Sequence, residues 1–289
     1  MKYTIQRCCT TNSFLKQYEL STDAVLNELG VDMVEIKDFN CCGYPLRNVD
    51  FKAHILLSSR NLSLAEKAGR NIMTLCNCCY GTLKHVNHLL TEDASLKEEV
   101  NKTLGKEGLQ YTNHVEVRHL LEVLHGDIGI DKITEKVVKR FHGLKLATHY
   151  GCHILRPRHI IQFDNPFAPT RFDSLVEITG AKSIPWRTKL ECCGSPVFGV
   201  DDNLSMDLTQ KKIEDAWESG AHYLCVACCY CQLQFDRVQK SMISKRNGNH
   251  PLPSILYTQL LGLSMGIDEE ALGIQQNEMN ATGVTDFLS

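Results

Sequence analysis

Short apolar segments alternate with longer stretches of helical periodicity along this chain of 289 residues. The apolar segments predict strands at residues 2–6, 31–35 and 71–75, and again at 145–149, 182–185 and 222–227. Helical spacing predicts helices at 14–29, 53–68, 172–179, 204–219 and 232–244, and one after Cys79. Strands that alternate with helices form parallel sheets covered by helices, so the pattern predicts an α/β fold with two domains, each a small parallel sheet flanked by helices.

The two series of elements are separated by a charged, mostly helical stretch at residues 91–142, with one possible strand at 115–117. We therefore predict a first domain at 1–142, with a helical connector from about residue 91, and a second domain at 143–289. The second domain ends with a turn-rich loop at 246–253, an apolar helix and a polar tail from Gln275. The tail offers little that could form a core, so we expect it to be loose or to contact a partner.

Ten of the 14 cysteines follow one pattern that occurs twice. The first copy is Cys9, the pair Cys41-Cys42 after 31 residues, and Cys76-x-x-Cys79 after 33 more. The second copy is a single cysteine, a pair and a CxxC in the same order, with intervals of 39 and 34 residues: Cys152, Cys192, Cys193, Cys228 and Cys231. The repeat predicts two equivalent thiolate sites, each with five candidate ligands.

The motif cysteines come just after predicted strands, where open parallel sheets bind ligands and helix N-termini favour negative charge. A glycine follows each Cys-Cys pair, Gly43 in the first copy and Gly194 in the second, and permits the turn that would bring both sulfurs to one centre. Neighbouring Cα atoms lie about 3.8 Å apart, below the usual disulfide range of roughly 4.4–6.8 Å. The pairs are therefore expected to bind metal and not to form internal disulfides.

Two kinds of metal centre fit these ligands. A structural zinc ion takes four ligands, which leaves the fifth cysteine of each copy without a role. Iron–sulfur clusters also commonly take four cysteines, so five would indicate an unusual cluster, and we favour iron and sulfide on this spacing. Cys8, Cys78 and Cys229 each neighbour a motif cysteine and could replace it as a ligand, whereas Cys225 lies in an apolar strand and is expected to be a core residue.

Composition excludes several classes of function. The net charge of −3 and a pI near 6.5 give no basic surface for nucleic acid. A motif cysteine within the first nine residues leaves no room for a signal peptide, so we expect a cytoplasmic protein. The longest apolar stretch, at 255–267, is shorter than the roughly 20 residues that span a bilayer, so no membrane span is expected. The sequence contains no GxGxxG motif and no Walker loop for a flavin or nucleotide.

These residues resemble the duplicated cysteine-rich CCG domain family, and within it the B-type subunits of heterodisulfide reductase. The likeness covers nearly the whole chain and includes both five-cysteine motifs, the segments TLCNCCYGTLKHVNHLL and VACCYCQLQFD, and the late LPSILYTQLLGLSMGI. The resemblance implies two domains related by a pseudo-two-fold axis, each holding one non-cubane [4Fe–4S] cluster. The ligands would be the five motif cysteines of each half.

The resemblance also implies a reaction and partners. A disulfide such as that of coenzyme M and coenzyme B would lie between the clusters and be reduced, or formed in reverse, by two electrons. Electrons would arrive from a C-type subunit with cubane iron–sulfur clusters and a flavin-containing A-type subunit. Related subunits in non-methanogen complexes act on another thiol or sulfur substrate, and an electron relay without substrate and a zinc-stabilised interaction protein stay open as alternatives.

A few polar residues near the cysteines are candidates for substrate chemistry. His153 follows Cys152 and could donate a proton to a leaving thiolate, although a structural histidine fits the sequence equally well. Lys84 lies about one turn beyond Cys79 and Arg156 follows Cys152, so both could bind an anionic substrate, with a solvated surface role as the alternative. Tyr44 and Tyr80 are interpreted as packing groups.

Overall fold

A computed structural model describes residues 2–245 and 250–289, except for the side chain of Asn12. Part of the loop predicted at 246–253 therefore lies outside the described residues. Two separate sheets of four parallel strands, both flanked by helices, form the described chain, which confirms the predicted α/β class.

Both sheets have the same strand order. The first sheet has the order β2-β1-β3-β4, with β1 Tyr3–Gln6, β2 Met33–Val34, β3 Asn71–Thr74 and β4 Val117–His119. The second has the order β6-β5-β7-β8, with β5 Lys145–His149, β6 Lys182–Ser183, β7 Tyr223–Val226 and β8 Ser254–Leu256. Every pairing is parallel, with Thr4 opposite Ile72 in the first sheet and Ala147 opposite Leu224 in the second. The central strands are buried on both faces, as helices on both sides of a parallel sheet require.

The helices occupy the stretches that carry helical periodicity. In chain order they are α1 Thr11–Phe14, α2 Lys16–Glu28, α3 Phe51–Lys67, α4 Asn77–Glu92, α5 Ala94–Leu104, α6 Leu120–Glu122, α7 Ile130–Glu135, α8 Arg158–Ile161, α9 Arg171–Glu177, α10 Asp202–Glu218, α11 Cys229–Leu233, α12 Gln239–Lys245 and α13 Tyr257–Ser264. Wider π-helical turns at Val123–Gly129 and Gln234–Val238 connect α6 to α7 and α11 to α12. No helix of the described residues is long and apolar enough to cross a bilayer.

The structure differs from the predicted elements at two strands. The possible strand at 115–117 is β4, two residues later, because Val117 pairs with Ile72. The apolar run that was predicted as a single helix begins with β8, since Ile255 pairs with Cys225 before α13 starts at Tyr257. In both places the neighbouring strand decides the register, which the periodicity of the segment alone does not contain.

The polar tail packs against the body of the protein, so the expectation of a loose segment was wrong. Val284 is fully buried, and Phe141 forms an antiparallel bridge with Leu288. The buried carboxylate of Asp236 accepts hydrogen bonds from the amides of Glu278 and Met279, at 3.0 and 2.7 Å. These contacts hold the tail although it carries few apolar residues.

The two halves are joined by direct contacts. Helix α13 packs on α2 of the first half, where the hydroxyls of Ser21 and Thr258 lie 2.7 Å apart. Near the sheets, the side-chain amide of Asn77 donates to the carbonyl of Tyr150 at 2.7 Å. The boundary at residue 142 stays a prediction, while each half contributes its own sheet to one structure.

Candidate functional site

The cysteine motifs lie beyond the carboxyl ends of the strands, at equivalent places in the two sheets. Cys9 comes three residues after β1 and Cys152 three residues after β5. Cys76 and Cys228 follow β3 and β7 and are the N-cap residues of α4 and α11. A thiolate at this place faces the positive end of the helix dipole, which favours the ionised form that binds metal.

A tight turn after each Cys-Cys pair brings the pair against a helix. Gly43 and Gly194 have φ angles of 84° and 95°, a region that other residues avoid. A Cβ atom on Gly194 would lie 2.5 Å from the carbonyl oxygen of Ser205 in α10, and one on Gly43 would lie 2.8 Å from that of His54 in α3. Glycine is therefore required at both turns.

Hydroxyl groups from these helices fix the position of each pair. Ser58 in α3 donates to the carbonyl of Cys42 at 2.6 Å, and Thr209 in α10 donates to that of Cys193 at 3.0 Å. Because these two residues occupy the same turn of their helices, the two pairs are held in the same way.

The first site gathers all five predicted cysteines and one more. Cys41 interacts with Cys42 and Cys9, and Cys79 interacts with Cys42 and Cys76. Cys8 joins them, since its sulfur and those of Cys76 and Cys79 all lie within 4.8 Å of one another. Hydrogen bonds from Cys42 and Cys9 lower the pKa of Cys41, so the cluster stabilises a thiolate.

The second site repeats this arrangement with its own five cysteines. Cys192 interacts with Cys152 and Cys193, and Cys231 interacts with Cys193 and Cys228. A hydrogen bond from Cys152 lowers the pKa of Cys192, as in the first site. Sulfurs this close would repel one another if all were ionised, so they are held together only as thiols or around cations.

The two sites adjoin each other. The sulfurs of Cys76 and Cys228 lie 3.9 Å apart, although the two residues belong to different halves. Two tyrosines cross between the sites: the pKa of Tyr44 is raised by burial and by Cys78, Cys152 and Cys192, and that of Tyr230 by burial and by Cys9 and Cys8. Tyr44, which was interpreted as a packing group, thus reaches from the first Cys-Cys-Gly turn to the second site.

The four remaining cysteines have different surroundings. Cys78 interacts with Cys76, and Cys229 interacts with Cys76 and Cys8, so both border the junction between the sites. The sulfur of Cys229 also lies 3.8 Å from the carbonyl oxygen of Leu75. Cys225 lies in the middle of β7 and is fully buried, as expected of a core residue.

Of the polar candidates, His153 lies closest to the cysteines. Its half-buried ring meets the ring of Tyr44 edge-on at 5.2 Å, and burial lowers its pKa. Its neighbouring charges include Cys76, Cys192 and Arg47, a residue that sequence reasoning did not select.

Lys84 and Arg156 are engaged elsewhere. The Lys84 ammonium donates to the carbonyl of Ile161 at 2.8 Å and lies over the ring of Tyr80, which makes it a contact between α4 and α8. Arg156 is exposed, and its guanidinium makes one long hydrogen bond of 3.4 Å, to the carbonyl of Leu190. The structure brings neither of them to the sulfurs through a direct contact.

An apolar groove opens beside both sites, with a cavity volume of about 390 Å³. Its lining includes Thr10, next to Cys9, Ser195, next to Gly194, and Tyr230, within the second CxxC. Phe14 and Phe198, both about half exposed, and Arg237 also line it; the Arg237 guanidinium lies 4.9 Å from the centre of the Phe14 ring and pairs with Glu278. The groove can take an extended, partly aliphatic molecule with an anionic group.

Two buried groups at the second site were also missed by sequence reasoning. A ring nitrogen of His149 and the sulfurs of Cys193 and Cys231 lie within 4.8 Å of one another, and neither nitrogen of His149 has a hydrogen-bond partner. Lys212 in α10 is fully buried near the same sulfurs. The end of a predicted strand could have identified His149, but Lys212 lies in a stretch of ordinary helical charge pattern.

The arrangement fits an iron–sulfur centre. Sulfur ligands select zinc or iron–sulfur clusters, and each site offers at least five sulfurs where a tetrahedral zinc ion takes four. In the second site, a ring nitrogen of His149 lies within 4.8 Å of the sulfurs of Cys193 and Cys231 and adds a further candidate ligand.

Comparison with known proteins agrees with this geometry. The cysteine-rich domain family CCG matches residues 3–84 and 146–236. The B subunit of the ferredoxin/F420H2-dependent CoB-CoM heterodisulfide reductase of Methanosarcina acetivorans is 35% identical over 96% of this chain and 93% of its own length. The membrane anchor subunit of 8-methylmenaquinol:fumarate reductase from Wolinella succinogenes is 31% identical over 95% of each chain.

A solved structure shares the fold. The crystal structure of a hypothetical protein from Helicobacter pylori superimposes with a TM-score of 0.75 over 97% of this chain, at 15% identity. This chain spans about half, 52%, of that protein. The similarity therefore supports the architecture and no particular activity.

Proposed function

Since this chain belongs to the duplicated cysteine-rich CCG domain family, which includes the B subunits of heterodisulfide reductases, we propose that it is the iron–sulfur catalytic subunit of a heterodisulfide reductase-type complex. The observation that carries the proposal is the contact between the two cysteine sites, whose nearest sulfurs lie 3.9 Å apart. Cleavage of a disulfide yields two sulfur fragments, and two adjoining sites can receive one fragment each.

We assign one non-cubane [4Fe–4S] cluster to each set of five motif cysteines. Cys9, Cys41, Cys42, Cys76 and Cys79 would hold the first, with Cys8 close enough to replace Cys9, which is the most exposed of the set. The second set would be Cys152, Cys192, Cys193, Cys228 and Cys231. Bound clusters would supply single electrons and iron sites for sulfur.

The protein's own residues would position the substrate. The groove lined by Phe14, Phe198 and Tyr230 would take the apolar part of the substrate. Arg237, also in its lining, pairs with Glu278 at 3.4 Å and would exchange that partner for an anionic group on the substrate. Reduction of a disulfide consumes two electrons and two protons and releases two thiols. His153 lies at the junction of the sites and can hold one of these protons for a leaving thiolate. Lys84 and Arg156, which the sequence suggested for the substrate, are better explained as structural and surface residues.

A second candidate is an electron relay that binds no substrate. It is favoured by the similarity to the Wolinella succinogenes protein, whose name describes a membrane anchor of a quinol:fumarate reductase. The same two clusters would then pass electrons between partner proteins. For the disulfide reductase, the expected partners are a C-type subunit with cubane clusters and a flavin-containing A-type subunit, which should copurify with the chain from its native host.

The test begins with iron and acid-labile sulfide in protein purified without oxygen. Two [4Fe–4S] clusters require about eight irons and eight sulfides per chain. Zinc without sulfide would contradict both iron–sulfur candidates. Coenzyme M or coenzyme B, added to the oxidised protein, should then give a new paramagnetic signal if substrate sulfur reaches iron. If neither thiol changes the spectrum, a relay or another substrate would be favoured.

A further inference from the structure

Lys212 is the one lysine or arginine among the buried residues in the described part of the chain. Its ammonium donates to the carbonyl of Thr188 and lies 4.5 Å from the centre of the Trp186 ring. Among residues 2–245 and 250–289, no carboxylate lies within ion-pair distance of it. Its strongest electrostatic neighbours are Cys193 and Cys231 of the second site, followed by the carboxylate of Glu191.

A buried ammonium without a carboxylate is costly, because one carbonyl and one ring do not neutralise its charge. Burial lowers the pKa of Lys212 to about 8, while Cys193 and Cys231 oppose this shift. Its place against the Thr188 carbonyl and over the face of the Trp186 ring suits the charged ammonium. An anionic metal–thiolate centre in the second site would provide the missing counter-charge.

The first site has no such cation among the described residues. Asn61 takes the place of Lys212 in the equivalent helix α3, and its amide is bonded to the backbone of Asn40. Gln6 takes the place of His149 at the end of β1. Two buried histidines lie near the first site: the His54 ring is 3.1 Å from the carbonyl of Gly43, and His119 neighbours Cys76, but burial lowers the pKa of both.

We propose that Lys212 makes the second cysteine site the more easily reduced of the two. Reduction adds negative charge to the centre, and a fixed cation in a poorly solvated wall stabilises that charge. The first site has the neutral amides of Asn61 and Gln6 at the equivalent positions and lacks this stabilisation. The inference rests on the proposed function, because it requires a redox centre in each site. Lys212 would change the potential of the centre by its charge and is not itself a catalytic residue.

The test is a redox titration of the complete chain with its clusters, purified without oxygen and followed by electron paramagnetic resonance. The signal that Cys193→Ala removes identifies the second site. In the wild-type protein the second site should have the higher midpoint potential. Lys212→Gln keeps a donor for Thr188 and removes the charge, and it should disfavour reduction of the second site at least tenfold, which is about 59 mV for one electron.

Lys211→Gln is the matched control. Lys211 is the adjacent residue in α10, is exposed and pairs with Glu191 at 2.7 Å, so its loss should move neither potential.

If Lys212→Gln fails to fold, the order of potentials in the wild-type protein, with the second site assigned by Cys193→Ala, still tests the proposal. A higher potential at the first site would overturn it, as would equal shifts at both sites in Lys212→Gln. Protein without iron and sulfide would overturn the proposed function as well, whereas clusters with the wrong order of potentials would overturn this inference alone.

Discussion

The turn after the second Cys-Cys pair gives a quantitative test of how the sites are built. In Gly194→Ala the new Cβ would lie 2.5 Å from the carbonyl oxygen of Ser205. That atom belongs to the backbone of α10, so it cannot move aside as the end of a side chain could. The φ angle of 95° adds backbone strain for any residue with a Cβ.

The two effects can be separated with Gly199→Ala. Gly199 has a φ of 87°, close to that of Gly194, but a Cβ there would meet nothing within 4 Å. Strain at such an angle costs roughly 1–3 kcal/mol, and overpacking adds roughly 1–3 kcal/mol. Gly199→Ala should therefore lower the free energy of unfolding by the cost of backbone strain alone. Gly194→Ala should lower it by about the sum of the strain and overpacking costs.

Urea unfolding, followed by circular dichroism without oxygen, measures the difference between the variants. With a urea dependence of about 2–3 kcal/mol per molar, a difference of roughly 1–3 kcal/mol moves the midpoint by about 0.3–1.5 M. Gly194→Ala should also bind less iron, because the displaced turn carries Cys192 and Cys193. Equal midpoints for the two variants would refute the contact between the turn and α10.

Three further predictions concern the site, the tail and the core. Cys193→Ala should remove about half of the bound iron and leave the first site intact, and equal loss from both sites would contradict two separate centres. Asp236→Ala should destabilise the protein by roughly 1–3 kcal/mol and expose the tail to limited proteolysis, because the amides of Glu278 and Met279 lose their acceptor. An unchanged cleavage pattern would contradict the role of Asp236 in holding the tail. Burial lowers the pKa of His119 to about 4, so the unfolded chain is protonated at a higher pH than the folded one. About 3 kcal/mol of stability should therefore be lost as the pH falls from about 6.5 to 4. In His119→Gln the stability from urea unfolding should lack this pH dependence, and an unchanged dependence would refute the prediction.

Much of the fold could be predicted because its strands are short apolar segments with clear ends. Strand β5 coincides with the predicted segment 145–149, and β3 ends one residue before the predicted one. Strand β8 could not be separated from α13, since the run around Ile255 is apolar on every side and its partner β7 lies about 30 residues away. The tail was misjudged because its few apolar residues, such as Val284, are buried and its backbone amides bond to Asp236, neither of which its polar composition reveals.

Some features of the candidate site could likewise be predicted from the sequence, and others could not. Spacing alone indicated which cysteines meet, because strand ends on one edge of a parallel sheet are neighbours. It could not choose between Cys8 and Cys9, since adjacent residues at a strand end differ only in the direction of their side chains. The substrate candidates Lys84 and Arg156 were selected by closeness in sequence; Lys84 donates to the carbonyl of Ile161, Arg156 is exposed, and a substrate role for either stays a prediction.

Comparison of the two halves separates what a site of this kind needs from what distinguishes one copy from the other. The parts that fix sulfur geometry are duplicated: the left-handed glycine after the pair, the helix hydroxyl on the pair's carbonyl, and the aspartate that caps the following helix, Asp50 or Asp201. The parts that set charge and access are not duplicated, as Asn61 against Lys212, Gln6 against His149 and Tyr44 against Ser195 show. A disulfide with two different halves presents two different sulfurs, and two sites with equal ligands but unequal walls can discriminate between them. The divergence of the walls is therefore the feature that a symmetric relay would not require.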